Sequence, residues 1–178
     1  IDPTAPNPMK MYATEFFKNG RVQKKKIKEH ASYPYSFLRE EMQEHILDKL
    51  QLLIESRAIK GTFENGTEYT ITATVLNLPK EIVRLIQKFD FTKKNPKLIY
   101  FNTGEKMISL EDSILTAFLN LVGFDVVFFV PTGYQNIEKH FNKRLMEEHH
   151  VGEYVYDLQV PNMALVPSGT RPSWRDKI

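Results

Sequence analysis

The chain has 178 residues, 42% hydrophobic and 12% aromatic, which is the composition of a folded globular protein large enough to bury a substantial core. Its net charge is only +2. The excess sits in the first 30 residues, with seven Lys/Arg against three Asp/Glu, so the rest offers no electrostatic footprint for nucleic acid or an anionic membrane. Cysteine is absent, which excludes disulfides, thiolate metal sites and cysteine nucleophiles, and no apolar run approaches the roughly 18 residues of a membrane-spanning helix.

Residues 1–10 hold three prolines and are expected to be poorly ordered. Ile1-Asp2-Pro3-Thr4 has no signal-peptide character and reads as a cloning remnant joined to an internal fragment. Asn19-Gly20 lies between short apolar segments, a hairpin signal. The run Lys24-Lys25-Lys26-Ile27-Lys28 reads as a solvated linker or as an anion-binding patch. No Arg or aromatic residue interleaves the lysines, which argues against nucleic acid. Ser36 opens a helix expected from about Phe37 to Arg57, with Phe37, Leu38, Met42, Ile46, Leu50, Leu53 and Ile54 on one face.

Asn65-Gly66 marks a turn. Residues 68–75 alternate and are β-branched, so they read as a strand or as the start of a helical segment. Pro79 precedes a short helix from Lys80 to about Phe89, with Ile82, Val83, Leu85, Ile86 and Phe89 inward.

Residues 97–136 form the most informative unit. Lys97–Phe101 and Asp125–Val130 are short apolar strands, each followed by a polar Thr-Gly loop. Between them, Ser109-Leu110-Glu111-Asp112 starts a helix that Gly123 ends. Nearly continuous apolar strands are expected to be parallel and buried on both faces. A right-handed crossover then places both loops at one carboxyl edge, where open α/β sheets bind ligands. A further helix to about Glu148, carrying Ile137, Phe141 and Leu145, and a strand or extended segment over 151–158 complete the reading. Residues 161–178 read as a tail.

Candidate ligand-binding residues are Asn102, Thr103, Gly104 and Lys106 in the first loop. Thr132, Gly133, Tyr134, Gln135, Asn136 and Glu138 form the second group. Exposed N–H groups at a helix start favour anions, Tyr134 offers stacking, and Gln135 offers a donor and an acceptor. Each loop reads equally as an ordinary turn leading into a capped helix. The spacings are neither those of a Walker loop nor GxGxxG. His140, His149 and His150 are nine and one residues apart, which fails the helical metal-ligand spacing, so no metal is expected. No catalytic residue and no cofactor is assigned.

Several stretches taken in order resemble the bacterial YceG-like family. They are Asn77-Leu78-Pro79, residues 85–92, residues 109–112, residues 118–125 and residues 130–138, ending in Gly152-Glu153-Tyr154-Val155-Tyr156-Asp157-Leu158. The most specific part is Gly123-Phe124-Asp125, five apolar residues, then Pro131-Thr132-Gly133-Tyr134-Gln135. The family is described as a component of a biosynthetic module encoded beside tellurium-resistance genes. Its members are longer, which implies a C-terminal fragment in a stress-response setting, and no catalytic residues carry over.

The expected fold is α/β and three-layered, with a short, mostly parallel Rossmann-like sheet and an N-terminal helical or hairpin appendage. Residues 1–35 form the remnant, hairpin and basic linker, 36–160 the α/β domain, and 161–178 the tail. The expected function is the half of a cytoplasmic two-domain protein that binds a nucleotide, nucleotide-sugar or other anionic small molecule. Its partner is then the missing N-terminal domain of the same protein. The alternative is a non-catalytic module docking onto other stress-resistance proteins, through Tyr134, Phe141 and the Tyr154/Tyr156 segment.

Overall fold

A computed structural model describes residues 6–88, 90, 95–104, 107–134 and 137–159, with the backbone alone at 137. The fold is mixed α/β. Two short 3-10 helices lead into a hairpin, β1 (Phe17–Lys18) and β2 (Arg21–Val22). Both loop residues have positive φ, Asn19 at 53° and Gly20 at 74°, the mirror-image turn that matches strand twist. Helices α1 (Lys24–Glu29), α2 (Glu40–Glu55), α3 (Thr67–Val75) and α4 (Lys80–Lys88) follow. Then come β3 (Lys97–Phe101), α5 (Leu110–Val122) and β4 (Asp125–Phe129).

One hydrophobic core joins these elements. It includes Phe16 and Ile27 from the N-terminal region, Ile46, Leu50 and Ile54 of α2, Ile71 of α3, and Ile114, Phe118 and Leu119 of α5. Helix α5 packs on α2, α3 and β4. The Ser109 hydroxyl accepts the Asp112 N–H at 3.0 Å and so caps its start. Gly123 ends it, its N–H bonded to Leu119 O and Asn120 O.

Of the two readings of residues 68–75, a strand or the start of a helical segment, the structure has the helix. Helix α3 buries Glu68, Ile71, Thr72, Ala73, Thr74 and Val75, so it has no polar face to reveal a 3.6-residue period, and the Thr72 hydroxyl bonds back to Glu68 O. Helix α2 starts at Glu40, three residues late, without a cap from Ser36. Instead the Leu38 carbonyl accepts from Gln43 Nε2 at 2.7 Å, and Phe37 is exposed. In α4, Val83 and Ile86 are buried but Leu85 points outward; Phe89 lies outside the described residues.

The helix expected to run to Glu148 stops after one 3-10 turn, Ile137–His140. The following backbone bonds to residues 58–60 instead: Asn142 N–H to Ala58 O and Lys60 N–H to His140 O, both at 2.8 Å. Phe141, bridged to Ile59, is buried, whereas Leu145 is exposed. Residues 151–159 are exposed and form no strand.

The basic run is helix α1, and two of its cations clamp it to α2. Lys28 Nζ meets Glu40 Oε1 at 2.5 Å and also Glu44; Lys24 Nζ meets Glu44 Oε2 at 2.9 Å and also Asp48. Hydrogen bonds from Lys28, then Lys24, hold the Glu44 carboxyl below its ordinary value of 4.5. A depressed carboxylate stabilises the fold above that value, and the contribution is lost as pH falls through the lower, folded one. Hydrogen bonds to Glu40 and Glu44 shift Lys28 upward, so its share persists below the ordinary lysine value of 10.5 and is lost only as pH rises beyond it.

Solvent exposure limits each such pair to about 0.2–1 kcal/mol. Glu44 pairs with both lysines, so Glu44→Gln is expected to lower urea stability by up to about 2 kcal/mol at neutral pH and low salt. The difference from wild type should shrink below about pH 4 and in roughly 1 M salt, where the Debye length is about 3 Å. A deficit unchanged by both conditions would show that packing, not charge, joins α1 to α2.

Candidate functional site

Strands β3 and β4 pair in parallel, with Lys97 opposite Asp125, Ile99 opposite Val127 and Phe101 opposite Phe129. The ladder continues past the strand ends, because Asn102 N–H donates to Phe129 O at 2.9 Å. The two Thr-Gly loops therefore leave one carboxyl edge side by side, as the crossover argument requires.

In the first loop, Asn102 and Thr103 are half-buried and Gly104 is exposed; Lys106 lies outside the described residues. In the second, Thr132 is buried and its hydroxyl accepts the Tyr134 N–H at 3.3 Å. It thus closes its own turn rather than capping a helix. The turn is completed by Gly133 N–H donating to Val130 O at 3.0 Å. Tyr134 is exposed, Gln135 and Asn136 lie outside the described residues, and Glu138 is exposed on the 3-10 turn. The structure therefore brings Asn102, Thr103, Thr132, Gly133 and Tyr134 to one edge.

The segment after residue 150 also reaches this edge. Val155 N–H donates to Pro131 O at 2.9 Å. Gly133 has φ +66°, and a Cβ there would overlap the Tyr154 ring. Glycine at 133 thus serves two needs: left-handed backbone and a seat for Tyr154. The His150 ring lies 5.3 Å from that of Tyr154. The sequence gives little warning of this seat, because nothing local links Gly133 to a tyrosine 21 positions later.

A second feature missed by the sequence reading is Tyr100. It faces α5, stacks on Phe128 at 4.6 Å, and its hydroxyl lies 3.4 Å from that of Thr116. Burial pushes its phenol above the usual value. Two apolar residues opposite each other on the same strand face were the available signal.

The opposite face of β3–β4 is open. Ile99, Phe101, Val127 and Phe129 are each 42–52% exposed, although both faces were expected to be buried. Apolar runs alone do not distinguish a covered face from one awaiting cover. Phe101 and Phe129 stack on this open side, 5.2 Å apart.

Among the described residues, no group of three or more His, Asp or Glu could hold a metal ion. His140 Nε2 instead lies 3.2 Å from Ile108 O, and His149 is exposed. No described helix is long and apolar enough to cross a membrane. Chemically, the edge offers backbone and hydroxyl hydrogen-bonding groups and the exposed rings of Tyr134 and Tyr154.

Comparison with known proteins agrees with the sequence resemblance. "Uncharacterized protein YceG" of Bacillus subtilis (strain 168) is 30% identical over 91 residues, covering 51% of this chain and 17% of that protein. The matched region is thus a small part of a much longer relative. No solved structure matches the chain. The profile of the YceG domain matches residues 1–159, and the chain belongs to that family.

Proposed function

We propose that this region is one half of a longer protein and holds a small anionic metabolite at the carboxyl edge of β3 and β4. A nucleotide or nucleotide-sugar is the preferred class. The reading rests on one observation: the Phe101–Phe129 register and the Asn102–Phe129 hydrogen bond set the two loops side by side. Ligands of open α/β sheets bind at that position. In this reading β3 and β4 are neighbouring strands of a three-layer, Rossmann-like sheet. The protein then works in the cytoplasm, in a stress-response biosynthetic module of the tellurium-resistance type.

Calorimetry on the full natural polypeptide, with inorganic phosphate and a panel of nucleotides and nucleotide sugars, tests the reading. Tyr134→Ala should weaken binding of a base-bearing ligand by roughly 1–3 kcal/mol through lost stacking. Equal affinities would remove Tyr134 from the site. No binding at all would leave the alternative, docking onto other stress-resistance proteins. The exposed Tyr154 and Tyr156 favour that alternative; Phe141, buried in the core, does not take part in it.

A further inference from the structure

We infer that the open face of β3 and β4 is an internal seam, covered in the full natural polypeptide by an amphipathic helix from outside these 178 residues. Four side chains form the face. Ile99 lies opposite Val127 and Phe101 opposite Phe129, all substantially exposed, with the two phenylalanine rings stacked. The Lys97–Asp125 ion pair borders this block at the start of the strands, and the Thr-Gly loops border it at the other end. An apolar centre with a polar rim is the anatomy of an interface, and a contiguous exposed apolar patch marks a surface that binds something.

The nature of the strands selects the occupant. A two-stranded sheet has little stability of its own, and parallel strands occur almost only where helices cover both faces. Helix α5 covers one face: Leu98 and Val126 pack into the core, and Thr116 lies against Tyr100. Parallel strands are joined by crossovers of a dozen or more residues, usually helical. Any further strand of this sheet therefore brings its own helix, and the face opposite α5 is the one left for it. The Bacillus subtilis relative has ample chain to supply such a unit, since the match takes up 17% of its length. The inference does not depend on a ligand at the carboxyl edge.

The absence of cysteine makes thiol labelling a direct test. Val127→Cys places a thiol in the centre of the face, and Glu41→Cys, on the exposed side of α2, is the control. Each variant is prepared in the 178-residue chain and in the full natural polypeptide, and modification of its peptide by a maleimide is timed by mass spectrometry. The expected result is labelling at 127 at least tenfold slower in the full polypeptide than in the short chain, with the rate at 41 unchanged. Equal rates at 127 in both proteins would overturn the inference. Slow labelling at 127 already in the monomeric short chain would overturn it too, by assigning the cover to residues 160–178. So would labelling in the short chain that slows with protein concentration, which would assign the face to a second copy. Ligand calorimetry on Val127→Cys separates this result from the carboxyl-edge reading, because the open face and the loops are different surfaces.

Discussion

Phe118→Ala is expected to destabilise the fold by about 3–5 kcal/mol, the largest effect of any single change considered. Phe118 is fully buried in the middle of α5, the helix that packs on α2, α3 and β4. Its neighbours in the core include Ile114, Leu119 and Val122 of its own helix. Removing the ring forfeits its transfer free energy and leaves a cavity between several rigid elements that cannot all close on it. For a chain of this size, roughly 2–4 °C of melting temperature corresponds to each kcal/mol, so a fall of roughly 6–20 °C is expected. Urea denaturation should show a lower midpoint with an unchanged slope. A loss under about 1 kcal/mol would mean that the Phe118 ring is not packed in the core.

Tyr35→Phe is expected to cost about 1–3 kcal/mol, while Tyr33→Phe, two residues away, should cost nothing or stabilise. The two rings meet edge to face, 5.8 Å apart, and both are buried, yet their hydroxyls differ. The Tyr35 hydroxyl donates to Val75 O at the end of α3 and accepts the Leu78 N–H at 3.1 Å. It ties residues 33–38 to the link between α3 and α4, and removing it strands a buried N–H. The Tyr33 hydroxyl is buried with no hydrogen-bond partner among the described residues, so its removal relieves a desolvated group.

Burial pushes the Tyr33 phenol up to about 12 and raises that of Tyr35 further. The unfolded chain therefore ionises first, and stability falls as pH rises above the ordinary tyrosine value of 10.0. Paired chemical denaturation of both variants at neutral pH is the check. Equal losses at the two positions would remove the hydrogen-bond argument.

For the candidate site, local signals carried the main step. Two apolar strands separated by one capped helix leave few alternatives to a parallel crossover, so the adjacency of Thr103 and Thr132 was legible from residues alone. Legibility ended where partners are distant in the chain. The seat of Tyr154 on Gly133 and the exposure of Ile99 and Val127 depend on which segments lie above the sheet, and strand pattern does not encode that.

The same division runs through the whole chain. Local chemistry was sufficient for the Asn19-Gly20 hairpin, the Ser109 cap, the Gly123 stop and the β3–α5–β4 unit, because each rests on backbone preferences or on hydrogen bonds within about four residues. Tertiary structure alone decided that residues 67–75 are a helix, since burial on all sides erases the period that would announce one. It also decided that residues 141–142 pair with residues 58–59 instead of extending a helix, and that Lys24 and Lys28 face the acids of α2. Each of these outcomes is a competition between a weak local preference and a partner many residues away, and the partner's position exists only once the core has formed.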